Sequence, residues 1–266
     1  MKLLCPICGE ILDRIEKQYR CGNGHSFDLA RQGYVNLLPV QQKRSLNPGD
    51  TREQVLGRRA FLETGCYEPI SNALNETAKE LGATGPILDV GCGEGYYSAR
   101  LAEALGAELT GLDISKEAVR CAAAKDKGPR WICGTAAHLP VESGSAGVVT
   151  SLFALTMAEE FKRVLRPEGL FFQVLAAEDH LLGLKSIIYP ELKFKEKNTV
   201  PQVPGFELVK SVPIRFTFTV EGEQVQNLLG MTPHVFRITK EGAARLAATE
   251  KLTDTASAVL NVYRVV

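Results

Sequence analysis

Two groups of residues in this 266-residue chain have the types and spacing of working chemistry. Cys5 and Cys8 form a CxxC pair, and after twelve intervening residues Cys21 and His25 form a CxxxH pair. Two short loops, each offering two soft or borderline ligands, suit one tetrahedral zinc ion. Protein then fills all four positions, so the zinc is structural and no place is left for a catalytic water. A thioredoxin-like redox pair needs a preceding strand and a following helix, and Cys5 lies too near the start of the sequence for that. Cys66, Cys92, Cys121 and Cys133 stand at no metal-ligand spacing and read as small apolar core or loop residues.

The second group is the run Ile87-Leu88-Asp89-Val90-Gly91-Cys92-Gly93-Glu94-Gly95-Tyr96-Tyr97, an apolar strand leading into a GxGxG turn that opens a helix. Glycines there let the backbone approach a ligand and let the helix N-terminus face it. Asp113 closes the next apolar strand, where a carboxylate can accept both hydroxyls of a ribose. A dinucleotide site prefers GxGxxG with a pyrophosphate on the helix N-terminus. Here Asp89 precedes the first glycine by two residues; its charge would repel a pyrophosphate and suits the ammonium and sulfonium of S-adenosylmethionine. A methyltransferase is therefore favoured over an NAD-dependent oxidoreductase. Cys133 to Pro140 follows the third strand, and its Ala137, His138 and Leu139 are placed to wrap an adenine, with His138 read as structural or solvent-facing.

These residues need a scaffold, and the surrounding pattern supplies one. Strands are expected at Ile87 to Val90, Glu108 to Leu112, Arg130 to Cys133, Gly147 to Phe153 and Gly169 to Leu175, with helices at Tyr96 to Leu105, Lys116 to Ala124 and Ala158 to Leu165. That alternation implies a mostly parallel sheet covered on both faces. Two further strands, Glu207 to Thr219 and Ala256 to Arg264, flank helices near Gln224 to Leu229 and Glu241 to Glu250. Thr51 is a possible N-cap for a helix from Arg52 to Glu63, and a second helix runs from Pro69 to Leu81. The expected organisation is a zinc-binding module over 1–40, a linker and helical segment over 41–84, and an α/β domain over 85–266. The module has too little apolar material to fold without its metal.

Composition fits this picture: 45% hydrophobic and 23% charged residues are typical of globular chains and exclude disorder. Net charge is +0, which argues against a nonspecific nucleic-acid binder, yet residues 1–60 hold ten Lys and Arg against six Asp and Glu. No apolar run approaches the roughly 20 residues of a membrane span, Met1 to Glu10 lacks a signal peptide's apolar stretch, and seven cysteines fit metal ligation in a reducing compartment, so a cytoplasmic protein is expected.

Longer runs are more specific than any of these patterns: CPIC at Cys5, CGNGHSFDLARQGYVNLLPVQQKRSLNPGD from Cys21 to Asp50, RRAFLETGCYEPI from Arg58 to Ile70, LDVGCGEGYY from Leu88 to Tyr97, and GMTPHVFR from Gly230 to Arg237. On these the chain resembles the bacterial 23S ribosomal RNA (guanine-N1) methyltransferases over essentially its whole length. The resemblance implies a Rossmann-like class I methyltransferase domain with a seven-stranded sheet, and a zinc-ribbon-like module that recognises RNA. It further implies S-adenosylmethionine as methyl donor, a guanine in a hairpin loop of ribosomal RNA as target, and a homodimer with a basic cleft. The sequence departs from the family at Phe153-Ala154-Leu155, where an aromatic residue is usually followed by Ala-Pro, and at Ala146-Gly147, where an acid often stands.

Phe153 reads either as a platform for a base taken out of the RNA stack or as a buried strand-end aromatic. Lys43, Arg44, Arg58 and Arg59 read as phosphate contacts or as ordinary solvated charges. A non-catalytic RNA-binding paralogue that keeps the fold is the alternative to the enzyme.

Overall fold

The computed structural model describes residues 1–39, 41, 48–192 and 196–266, so Lys43 and Arg44 lie outside the described residues. The first strands are β1 (Leu3–Leu4), β2 (Ile11–Ile15), β3 (Gln18–Cys21) and β4 (Ser26–Asp28), an antiparallel sheet in sequence order. Such short strands bury little. Leu3, Leu12 and Tyr19 instead share one core with Leu88, Val90 and Ile132 of the larger unit. The junction is also made by main chain, with a bridge between Leu3 and Val141, and Leu4 N–H donating to the Pro140 carbonyl at 2.9 Å.

Next come β5 (Tyr34–Asn36), α1 (Arg52–Leu62), α2 (Glu68–Glu80), β6 (Ile87–Val90), α3 (Tyr96–Leu105), β7 (Leu109–Asp113), α4 (Lys116–Lys125), β8 (Arg130–Cys133), β9 (Ala146–Leu152), α5 (Ala158–Val164) and β10 (Leu165–Ala176). The chain ends with α6 (Leu182–Ile188), β11 (Phe206–Glu221), α7 (Glu223–Gly230), α8 (Lys240–Ala247) and β12 (Lys251–Val265). Thr51 caps α1 through a capping box closed by Gln54, which satisfies two otherwise orphaned donors.

The main sheet runs β11-β12-β10-β9-β6-β7-β8-β5. Pairing is parallel from β10 across to β5, and antiparallel where β12 meets β10 and β11. The seven strands expected of the α/β domain are present, and an eighth, β5, is added at the edge by the chain leaving the small sheet.

Alternation along the strands sends Ile87, Val148 and Phe172 to one face and Leu88, Val149 and Phe171 to the other. The first face carries α1 to α4 and α6 to α8; among the described residues the second carries only α5, through Phe161 and Val164. Helices thus lie on both faces, unequally. The connection from β8 to β9 holds no helix, and the small sheet covers the space beside it. Strand order reverses between β6 and β9, which opens a crevice at their carboxyl ends.

Candidate functional site

Cys5, Cys8, Cys21 and His25 converge, their ligand atoms all within 4.8 Å of one another. Cys5 Sγ to His25 Nδ1 is 3.6 Å, Cys8 Sγ to Cys21 Sγ 3.7 Å, and Cys21 Sγ to His25 Nδ1 3.4 Å. Edges of about 3.3–3.8 Å are those of a tetrahedron around a metal bound at about 2.0 Å to nitrogen and 2.3 Å to sulfur. The Cys8 thiol is pulled down to about 6, chiefly by the Glu10 backbone and then the Asn23 side chain, which favours the thiolate that a metal needs. The donor set and geometry fit zinc, with Cys5 and Cys21 buried and Cys8 at the surface.

At the crevice, Gly91, Gly93 and Gly95 take φ of 83, 56 and 82°, a left-handed backbone that side chains rarely adopt. Space demands glycine as well. A Cβ on Gly91 would stand 2.7 Å from the Ala154 Cβ, and one on Gly95 would stand 2.4 Å from the Trp131 ring. Asp113 ties the turn to its own loop: Gly93 N–H donates to Oδ2 at 2.9 Å and Ser115 N–H to Oδ1 at 2.8 Å. These two bonds fix the carboxylate beside the turn, and burial raises its pKa.

Asp89 faces inward. It is 2% exposed and accepts from the Thr150 hydroxyl at 2.6 Å, and burial pushes it up to about 6. Glu94 is also buried, and burial raises it. Tyr96 and Tyr97 pack edge to face at 5.0 Å; the Tyr97 hydroxyl is buried without a hydrogen-bond partner among the described residues.

A cavity of about 490 Å³ adjoins Asp113, lined by Asn36, Leu38, Asp50, Ile114, Ser115 and Cys133 among others. Sequence reasoning missed the contribution of Asn36, Leu38 and Asp50, although all three lie in the run Cys21 to Asp50 that carries the resemblance. Ala137, His138 and Leu139 are not brought to this cavity: the first two are exposed on the loop after β8, and Leu139 is buried toward the small sheet with its N–H on Glu160. Arg59 is taken up by Glu63 at 2.8 Å and faces Cys121, and Arg58 pairs with Asp50 at 2.6 Å.

The two departures have physical reasons. A Cβ on Gly147 would come within 2.0 Å of the Thr84 carbonyl oxygen, so the chain entering β6 passes too close for an acid at that position. Leu155-Thr156 replaces a proline's restraint with side-chain ties: Ser151 Oγ donates to the Leu155 carbonyl at 3.2 Å and Gln173 to Thr156 at 2.7 Å. Beside them Phe153 has φ 55° and is 41% exposed at the crevice mouth, so it is not a buried strand-end ring. Behind the exposed Phe153 ring lie His180 and then the buried Tyr67, with Tyr67 Oη 3.5 Å from His180 Nε2. Tyr67 was contained in a recognised run; nothing in the sequence marked His180.

Residues 3–46 match the zinc-ribbon family model described as RlmA, N-terminal, and residues 88–173 match a methyltransferase domain model. A 23S rRNA (guanine(748)-N(1))-methyltransferase of Streptomyces fradiae is 34% identical over 92% of this chain and 90% of its own. A Micromonospora griseorubida protein provisionally assigned as a 23S rRNA (guanine-N1) methyltransferase is 33% identical over 98% of this chain and 97% of its own. Among solved structures, one described as a type II methyltransferase from Anaeromyxobacter dehalogenans superposes with a TM-score of 0.54 at 19% identity, covering 72% of this chain and 95% of that one, a likeness of fold.

Proposed function

The chain belongs to the 23S ribosomal RNA (guanine-N1) methyltransferase family, and on that premise we propose that it transfers a methyl group from S-adenosylmethionine to N1 of a guanine in a hairpin loop of large-subunit ribosomal RNA. The observation that carries this reading is the Asp113 carboxylate fixed beside a three-glycine turn at the strand-order reversal, in a chain matched along its length by rRNA methyltransferases. In this reading Asp113 would accept the ribose hydroxyls, Ile114 and Cys133 of the adjoining cavity would wall the adenine, and the glycine turn would take the amino-acid end; the acid and the side-chain-free turn suit such a group. The cofactor supplies an electrophilic methyl on a sulfonium.

Guanine N1 carries a proton, so its methylation requires loss of that proton and attack in line with the methyl–sulfur bond. Phe153 presents its ring at the mouth, where a base drawn out of the stack can lie on it. His180 keeps that ring in place and is not the base that takes the proton. Its Nδ1 accepts the Ser257 N–H at 3.1 Å, leaving the proton on Nε2, toward Tyr67. Burial holds the imidazole down to about 4, so it stays neutral at neutral pH.

Phosphate contacts in this reading come from the exposed cations of the zinc module, Arg14, Lys17, Arg20 and Arg31, joined by Lys43 and Arg44. The reading extends to a homodimer with a basic cleft and to a cytoplasmic location; among the described residues no helix is long and apolar enough to cross a membrane. Label transfer tests the function. Ribosomal RNA from cells lacking the gene should take up labelled methyl and show a new primer-extension stop at one guanine, because N1-methylation blocks pairing. Unlabelled RNA alongside normal cofactor binding would favour a non-catalytic RNA-binding protein; binding of a nicotinamide cofactor in place of S-adenosylmethionine would favour an oxidoreductase.

A further inference from the structure

Arg58 lies against the glycine turn. It projects from α1 across the glycine turn, with Nη1 3.7 Å from the position a Cβ on Gly93 would occupy. Its Nη2 is held by Asp50 at 2.6 Å, and its side chain is 26% exposed. Asp50 is fixed in turn, since its carbonyl accepts the Ser115 hydroxyl at 2.7 Å and Gly49 packs against Ser115. The guanidinium is therefore aimed by Asp50, immediately before the Thr51 cap of α1. Around it stand three acids, Asp50, Asp113 and Glu94; of the nearby cations, Arg59 is engaged by Glu63, and Lys125 stands 3.7 Å from the same Glu63. The Tyr97 hydroxyl, without a hydrogen-bond partner among the described residues, is buried at the start of α3, immediately after the turn, and Arg58 is among the charges that act on it.

From this we propose that Arg58, steadied by Asp50, binds the α-carboxylate of the cofactor's methionine moiety, with the Tyr97 hydroxyl as a second donor to the same group. A guanidinium held on one edge by Asp50 keeps its other N–H groups for a second carboxylate, and a buried hydroxyl without a partner gains one when the ligand arrives. Arg58 is thereby a cofactor ligand and not an RNA phosphate contact. The inference rests on the cofactor reading above.

Calorimetric titration of the full chain with S-adenosylhomocysteine and with 5′-methylthioadenosine tests it, because the second ligand keeps the adenosine and lacks the amino acid. Arg58→Ala should weaken S-adenosylhomocysteine by about 10- to 100-fold, the worth of a hydrogen bond to a charged group, and leave 5′-methylthioadenosine within about twofold. Tyr97→Phe should show the same selectivity at smaller size. Arg58→Lys keeps the charge and loses the fork, and should fall between; it serves as the variant of record if Arg58→Ala fails to fold. Equal losses for both ligands would show that Arg58 only shapes the pocket and would overturn the assignment, as would no loss for either ligand alongside weakened binding of an rRNA hairpin. A native protein that bound neither ligand would overturn the cofactor reading itself, and this inference with it.

Discussion

The Phe153 ring lies 6.1 Å from the His180 imidazole, centroid to centroid, with the two planes tilted by 31°. Phe153 holds φ 55°, costly for a non-glycine residue, and its N–H is anchored to the Val174 carbonyl at 2.9 Å. Strain of this kind persists where the surroundings fix it and a function uses it. Loss of the ring in Phe153→Ala should remove one base-stacking contact, about 1–3 kcal/mol. Single-turnover methyl transfer should drop by about 5- to 150-fold with S-adenosylhomocysteine affinity unchanged, and Phe153→Tyr should restore most of it. A Phe153→Ala enzyme with unaltered transfer would remove Phe153 from the reaction.

His180 should act through that ring. In His180→Ala the support behind Phe153 is gone, and Tyr67 loses its neighbour at 3.5 Å. A hairpin carrying 2-aminopurine in place of the target guanine reports whether a base is held out of the stack. Native protein should brighten the probe; Phe153→Ala should not, and His180→Ala should do so partially. Equal brightening by all three would mean that Phe153 and His180 do not touch the base.

Trp131 shows what the sequence concealed. Its ring fills the space beneath two glycines: a Cβ on Gly95 or on Gly111 would stand 2.4 Å from it. The indole cannot slide, because Nε1 donates to the Asp126 carbonyl at 2.9 Å. Gly95→Ala therefore meets both a fixed ring and a φ of 82°, and should abolish cofactor binding in calorimetry while lowering the melting temperature. Trp131→Ala, which removes the obstruction and leaves a cavity, should cost about 3–5 kcal/mol. A double variant that recovered cofactor affinity would show that steric conflict, and not backbone conformation, set the Gly95 requirement.

Period-two and period-3.6 patterns made β6 to β10 and α3 to α5 legible, since each repeats over several residues and reports burial directly. The zinc ligands and Asp113 were equally open, because their chemistry depends on spacing along the chain. Asn36, Asp50, Tyr67 and His180 reach the site through tertiary packing, which leaves no periodic trace. The role of Gly147 was hidden for the same reason: its partner, the Thr84 carbonyl, belongs to a distant loop. Asp89 was visible as an acid, yet its inward aim toward Thr150 is decided by strand alternation that a four-residue strand scarcely displays.

Asp89 should make stability and binding depend on pH in opposite directions. Burial raises its pKa from 3.8 to about 6, so between those values the folded chain keeps a proton that the unfolded chain releases. Stability then falls as pH rises through this window, and above about 6 the charge costs roughly 3 kcal/mol. A cationic cofactor favours the ionised form, so its affinity should rise over the same range. Asp89→Asn can still accept from Thr150; it should melt higher than native at pH 7.5, differ little near pH 4, and bind the cofactor with a flatter pH profile. Native protein whose melting and affinity were both flat from pH 4 to 7 would refute the assignment.

Zinc should support more than the module that holds it. Cys5 and Cys21 are 2% and 5% exposed within the core that also contains Leu88, Val90 and Ile132, and Leu3 bridges to Val141 in the β8 to β9 connection. Without the metal the four short strands lack the means to stay folded, and the sheet face they cover is opened to water. Chelation, or Cys8→Ser at the exposed ligand, should therefore lower the melting temperature of the whole chain. A loss of even about 3 kcal/mol corresponds to about 6–12 °C for a domain of this size. Hydrogen exchange should quicken at residues 139–142 as well as in the small sheet, and S-adenosylhomocysteine affinity should weaken, because β5 and Asn36 border the cavity proposed to hold the cofactor. If zinc-free protein lost RNA binding alone, with melting temperature and cofactor affinity intact, the module would be an independent appendage and the shared core would carry no coupling.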